Sequence, residues 1–299
     1  MRSWGSMQCE AYERACEVVP GTRQALAEAL DAIMTFPDQD AAWSFSTLTC
    51  SGAPVEMAFA SYDPDPRYTV EFGGPDVAPH DRLHNIQAFL GQAEPLVEWT
   101  ATAAPRWGAW LGIRGETFKI YAEAPAAASL YSDYLEPVPL GASCIMLGHQ
   151  PGSRRREFYF ECPGQLSASA VGQLLGHVDM GDRQPQLIEL MLQCVVGGGE
   201  TLPRVPYGFS YSVLPNARGP ALSVFVNAAD FIGGDGFVRH QLLSVARARG
   251  WQLGGYPELT APLKREFRSA IYHNSIGFVV SGAPEVGLHV SISPPPAPA

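Results

Sequence analysis

Phe118-Lys119-Ile120-Tyr121-Ala122-Glu123 is the stretch whose reading decides the fold. As a strand it alternates with period two, so Lys119, Tyr121 and Glu123 share one face and Phe118, Ile120 and Ala122 the other. Three further stretches alternate in the same way. Arg67, Thr69 and Glu71 oppose Tyr68, Val70 and Phe72; Arg155, Glu157 and Tyr159 oppose Arg156, Phe158 and Phe160; Glu56 stands with Ala58 and Ala60 against Val55, Met57 and Phe59. Each strand has an apolar face fit to pack under helices and a second face carrying carboxylates, cations or tyrosines. In a half-exposed antiparallel sheet the polar faces would meet water. If instead they face inward, the interior is a chamber and not a packed core, because unpaired charges are not buried in a closed core.

The rhythm around these stretches favours a chamber. Helical spacing marks Thr22 to Thr35 (Leu26, Leu30, Ile33), His80 to Gln92 (Leu83, Ile86, Leu90), a short piece over 126–134, Ser167 to Val178, Gln184 to Val196, and Asp235 to Arg249 (Val238, Leu242, Val245). Strand patterns fall near 41–49, 54–62, 67–73, 107–113, 116–124, 140–149, 156–162, 207–215, 220–228, 267–281 and 286–293. Turns are marked at Arg114-Gly115, Pro151-Gly152, Asn216 to Gly219 and Gly282 to Pro284. A helix followed by two antiparallel strands recurs about five times, every 50–60 residues or so, without sequence identity between the units. A parallel βαβ sheet would alternate strands and helices one to one. The expected fold class is therefore α+β: about ten antiparallel strands in a closed barrel ringed by helices, in repeating αββα units. Such a barrel has a lumen too wide for ordinary core side chains to fill. One domain is expected over 1–293, with a disordered proline-rich tail at 294–299.

Composition narrows the partners. The 299 residues are 46% hydrophobic and 17% charged, with a net charge of −10. That balance disfavours nucleic acid and anionic membrane surfaces, and there is no apolar run of membrane-spanning length and no signal-peptide pattern. Six cysteines without a C-x-x-C pair read as reduced thiols of a cytoplasmic protein; the sequence leaves its oligomeric state open, with a monomer favoured. Asp38-x-Asp40 and Asp63-Pro-Asp65-Pro do not form a metal motif: the first reads as a turn, and the prolines of the second exclude a helix. Gly197 to Gly199 lacks a phosphate-loop lysine and reads as a helix end, and Asp230 and Asp235 read as a loop residue and a helix N-cap. His289 is an ordinary strand histidine or a proton acceptor in the lumen. Of Trp107 and Trp110, at least one belongs to the core and the other could form a pocket wall.

Cations interleaved with tyrosines suit an allylic diphosphate. Arg and Lys bind phosphate oxygens through charge-assisted hydrogen bonds, and tyrosine rings present π-faces to a cation.

On Gly-x-Pro-Val-Glu at 52–56, Arg-Tyr-x-x-Glu at 67–71, Lys-Ile-Tyr at 119–121 and Arg-x-Glu-x-Tyr at 155–159, the chain resembles the aromatic prenyltransferases of the ABBA, or PT-barrel, family. The nearest branch is dimethylallyltryptophan synthase, and its short bacterial and cyanobacterial relatives suit this length. Tyr207 to Tyr211, Ala221 to Phe225, Asn274 to Phe278 and Leu288 to Pro294 resemble the later strand pairs. The resemblance implies a ten-stranded barrel and transfer of a dimethylallyl or geranyl group from its diphosphate to an electron-rich aromatic, preferably an indole in a free amino acid, an alkaloid or a cyclic peptide. It implies that Glu56 hydrogen-bonds the acceptor, that Arg67, Lys119 and Arg155 hold the diphosphate, and that Tyr121, Tyr159 and Tyr211 shield the cation. No cofactor is required, and Mg²⁺ is dispensable, stimulatory or bound only with the diphosphate. Three departures stand out: Glu157 where the family often has lysine, Ser223-Val-Phe225 where it often has Lys-x-Tyr, and Ser291 where it often has tyrosine. Arg204 or Arg218 could compensate for the lost cations. A phenol or naphthol acceptor, and a non-catalytic barrel for an amphipathic ligand, are the alternatives.

Overall fold

The computed structural model describes residues 6–33, 46–73, 77–91, 108–123, 138–153, 155–213, 220–264 and 271–296. Its ten strands are β1 (Val55–Ala60), β2 (Asp63–Val70), β3 (Ala109–Arg114), β4 (Thr117–Glu123), β5 (Ser143–His149), β6 (Arg156–Glu161), β7 (Tyr207–Val213), β8 (Ala221–Asn227), β9 (His273–Val280) and β10 (Gly287–Ile292). Each pairs antiparallel with its sequence neighbours, and β1 pairs with β10 to close the barrel. Closure removes both sheet edges. The hairpin turns lie at one end of the barrel and the helical crossovers at the other.

Eight α-helices are described: α1 (Ser6–Val18), α2 (Thr22–Ile33), α3 (Pro79–Phe89), α4 (Ala168–Gly176), α5 (Gln184–Gln193), α6 (Ala228–Phe231), α7 (Asp235–Arg249) and α8 (Tyr256–Leu259). They cover the outer barrel face, and the hydrophobic core is the layer between. Leu26 and Leu30 of α2, Ile86 of α3, Leu174 and Leu175 of α4, and Val238 and Leu242 of α7 are fully buried there, against Phe158, Phe160, Phe209, Phe278 and Val290 from the strands. Phe160 and Phe209 stack at 4.9 Å. Each such side chain contributes roughly 1.5–3 kcal/mol on leaving water. Gly250 ends α7 in the left-handed region, φ 67°.

Several boundaries differ from expectation. The spacing flags none of α1, α6 and α8, and Asp230, expected in a loop, lies in α6. Residues 46–53 are turns, not part of a strand over 41–49. Pro64 and Pro66 lie inside β2, at the hairpin end, although β2 was expected to start at 67. Proline is tolerated where a strand begins. The N-cap of α7 is Gly234, and Asp235 serves another purpose: buried, it accepts from the Tyr272 and His273 amides and contacts His273 Nδ1 at 2.6 Å, tying the start of α7 to β9. His273 Nε2 in turn lies 2.9 Å from the Tyr256 hydroxyl of α8. Burial raises the Asp235 carboxyl, but these bonds outweigh it and hold it below its ordinary value. Ser293, Pro294 and Pro295 are buried, so the packed chain continues beyond the expected boundary at 293; residues 297–299 lie outside the described residues. So do the expected helix over 126–134, the turn from Asn216, Trp107, Asp38, Asp40 and Arg218. The five described cysteines are free, and no described helix is long and apolar enough to cross a membrane.

At the crossover end Glu71 is completely buried. It accepts from the Ser46 hydroxyl (2.9 Å), the Thr47 amide (3.2 Å) and Trp110 Nε1 (3.3 Å), and Arg82 Nη1 of α3 lies 3.2 Å away. This pair pins the 46–49 turn, α3 and β3 together. Replacing Arg82 with Met leaves a buried carboxylate uncompensated. The R82M protein is expected to lose about 3–5 kcal/mol of stability in a chemical denaturation experiment; a midpoint equal to wild type would remove the pair from this role.

Candidate active site

Which face of each strand points inward follows from the registers. On β8 the residues alternate between half-buried (Ala221, Ser223, Phe225, Asn227) and fully buried (Leu222, Val224, Val226). The fully buried set lies under helices. The half-buried set faces the lumen, and its partial exposure shows that other side chains do not fill that space.

Strands of a closed barrel are tilted and staggered, so inward residues of alternate strands form layers. Register carries Glu157 across Ser212 to Ala221, two residues before Ser223, and Ser223 across Val279 to Gly287, two residues before His289. With that stagger, Arg67 (β2), Lys119 (β4), Glu157 (β6), Ser223 (β8) and His289 (β10) form one layer near the hairpin end. Two residues further in, Tyr121, Tyr159, Phe225 and Ser291 form the next.

Contacts bear out both layers. Lys119 Nζ is in direct contact with Glu157 Oε2 and lies 4.7 Å from the Tyr121 ring centre and 5.9 Å from that of Tyr159. Arg155, just before β6, donates from Nε to Ser212 Oγ at 2.6 Å, and Arg67 donates to the Tyr62 hydroxyl at 2.9 Å. Burial, then Arg155 and Arg67, press the Lys119 ammonium toward losing its proton, and the carboxylate of Glu157 is the compensating charge beside it. Three cations against one carboxylate leave a surplus of positive charge, suited to an anion with several oxygens.

The aromatic layer is continuous. Tyr121 and Tyr159 meet edge to face at 5.9 Å, and Tyr159 and Phe225 lie 6.0 Å apart. Glycines opposite let these side chains lie along the wall. A Cβ on Gly112 would stand 2.8 Å from the Tyr121 ring, and one on Gly208 only 2.1 Å from Phe225. Larger residues there would push the rings into the lumen.

Glu56 reaches the aromatic layer from β1. Asn274 Nδ2 donates to its Oε2 at 2.9 Å, and Ser291 also bonds it. Burial raises its pKa to about 7, against the lowering effect of the two bonds. It is thus a carboxylate poised between its two forms at neutral pH, near Tyr121 and aimed into the chamber.

Of the seven residues expected in the site, the structure brings together Glu56, Lys119, Tyr121 and Tyr159, with Arg67 in the same cation layer and Arg155 at its rim. Tyr211 is a correction. It pairs with Phe158 and Leu222 on the outer face, is fully buried, and donates to the Leu174 carbonyl of α4 at 2.8 Å. The inward residues of β7 are Ser210 and Ser212, and Phe225 takes the aromatic position. Glu157 fills the lysine position of the family pattern and forms the Lys119 pair. Trp110 faces inward but is committed to Glu71. Asp63 bonds the Asp65 amide and pairs with Arg114 at 2.7 Å.

By sequence, no family model and no curated protein matches the chain. Solved structures do. The 6-dimethylallyltryptophan synthase of Micromonospora olivasterospora, solved with DMASPP and Trp, is 20% identical over 100% of both chains, with a TM-score of 0.73. The 5-dimethylallyltryptophan synthase of Streptomyces coelicolor is 15% identical over 97% of both, TM-score 0.72. The prenyltransferase PriB is 19% identical over 100% of this chain and 99% of that one, TM-score 0.73. At these identities the likeness is one of fold, and with a closed ten-stranded barrel inside a coat of helices the chain has the ABBA prenyltransferase barrel.

Proposed function

We propose that the chain is an aromatic prenyltransferase that moves a dimethylallyl or geranyl group from its diphosphate to an indole. The observation that carries this is the stacking order inside the lumen: the Arg67, Lys119 and Arg155 cations, then Tyr121, Tyr159 and Phe225, with Glu56 at the same depth as the rings. The proposal includes a single catalytic domain at a cytoplasmic location. The structural neighbours solved with DMASPP and Trp support the same donor and acceptor classes.

In the proposed reaction the diphosphate sits on the cation layer. The C1–O bond of the donor breaks, and its electron pair leaves with the diphosphate, whose growing charge the cations stabilise. The allylic cation lies against the rings of Tyr121, Tyr159 and Phe225, each worth roughly 0.5–2 kcal/mol with water excluded. Glu56 accepts the indole N–H, which raises electron density on the ring as a ring carbon attacks. The arenium intermediate then passes its ring proton to the diphosphate released in the first step, which restores the aromatic ring. A barrel that only bound an amphipathic molecule would have no use for three cations in its lumen.

Incubation with dimethylallyl or geranyl diphosphate and a panel of indoles, phenols and cyclic peptides is expected to give prenylated indoles by mass spectrometry. No product with any acceptor, together with no binding of diphosphate, would overturn the reading. K119A should lower kcat/KM about 10- to 100-fold with every acceptor alike, the loss of one charge-assisted contact.

The raised Glu56 pKa fixes the sign of the pH dependence. The ionised form is the hydrogen-bond acceptor, and it is populated above about 7. Indole turnover is therefore expected to rise with pH through about 7 to a plateau, and E56Q should remove this inflection and cut kcat/KM about 100-fold or more. An inflection retained in E56Q would assign it to another group.

Glu157 competes with the diphosphate for Lys119. E157Q should bind inorganic diphosphate about fivefold more tightly in titration calorimetry. Unchanged or weaker binding would show that Glu157 supports the anion site.

A further inference from the structure

The cation layer closes on a pair of polar groups that the fold does not satisfy. Ser223 Oγ and His289 Nδ1 are buried atoms without a hydrogen-bond partner among the described residues. Both side chains face the lumen, since they alternate with the buried Leu222, Val224, Leu288 and Val290. The His289 ring packs against Gly277, where a Cβ would stand 2.0 Å from it, so only glycine leaves room there for the imidazole. A buried polar atom left unpaired is costly, and a lumen-facing pair of them is best explained by a ligand that supplies the missing bonds.

The charges around His289 tell which ligand. Burial first, then Arg67 from β2 and Lys119 from β4, lower the pKa of the ring to about 3. Glu157 from β6 and Arg155 just before it act on Lys119, and Tyr62 from the β1–β2 turn holds Arg67. Glu56 of β1 bonds Ser291, two residues beyond His289. Burial and the two cations together thus keep the imidazole neutral. A multiply charged anion between those cations would reverse the sign of the local field.

We propose that Ser223 and His289 complete the diphosphate site as a proton-linked subsite, in which the imidazole takes up one proton from solvent as the anion enters and donates it in a hydrogen bond, alongside one from the Ser223 hydroxyl. Only the imidazole N–H bond is made and broken, and the proton returns to solvent when the diphosphate leaves. This rests on the diphosphate-binding reading above. It adds that donor affinity and product release are coupled to proton uptake through a residue outside the arginine–lysine set.

Titration of the whole protein with inorganic diphosphate, by calorimetry in buffers of differing ionisation enthalpy, counts the protons exchanged on binding. Wild type should take up more protons than H289Q, because the ligand's own proton balance is common to both. H289Q should also bind about tenfold more weakly. S223A should weaken binding several-fold while keeping the uptake. Equal proton counts in wild type and H289Q would overturn the proposal. If H289Q does not fold, the His289 ring proton shift in wild type, followed by NMR against pH, replaces it: a titration that moves to higher pH with diphosphate supports the proposal, and an unmoved one refutes it. Absence of diphosphate binding to wild type would instead defeat the prenyl-donor reading, a separable outcome.

Discussion

A barrel of ten strands cannot fill its own interior. That constraint organises the rest of the molecule. The apolar half of every strand is turned outward under a coat of helices, so the stabilising core is a shell and not a centre. The inner wall is released from packing and carries groups that a solid core would reject. Cohesion and chemistry are thereby assigned to opposite faces of the same strands, one residue apart.

Charges in such a lumen have to be balanced locally. At the crossover end Glu71 and Arg82 neutralise each other and recruit Ser46, Thr47 and Trp110, which makes that pair part of the scaffold. Near the hairpin end Lys119 and Glu157 balance each other only in part, because Arg67 and Arg155 add to the positive side. Burial raises the pKa of Glu56, and its partners Asn274 and Ser291, both neutral, offset that only in part. The three carboxylates differ in role because their neighbours differ, not because of their chemistry.

Much of this was legible in the sequence. The period-two pattern of Lys119-x-Tyr121 and the recurrence of helix plus two strands give the barrel and the inward faces of β1, β2, β4 and β6. Tyr211 shows the limit. β7 does alternate, with Gly208, Ser210 and Ser212 against Tyr207, Phe209 and Tyr211, but the family resemblance pointed to the tyrosine instead; pairing with β6 and β8 places Tyr211 on the outer face. Phe225 was readable as a departure from a family pattern but not as the ring that completes the aromatic wall, because its contact with Tyr159 crosses strands. The Lys119–Glu157 pair, 38 residues apart, is invisible until β4, β5 and β6 are placed side by side. Asp235 looked like a helix cap since it opens α7, and its bonds to β9 depend on a tertiary contact.

The central claim is that the lumen holds a prenyl diphosphate with its anion on the cation layer and its chain on the rings. A crystal structure with a dimethylallyl thiolodiphosphate bound tests it most directly. The account predicts diphosphate oxygens within hydrogen-bond distance, about 3 Å, of Arg67, Lys119 and Arg155, a Lys119–Glu157 contact loosened by the anion, and the prenyl chain against Tyr121 and Tyr159. An analogue bound outside the barrel, or one lying with its chain on the cations and its phosphates near Glu56, would contradict it.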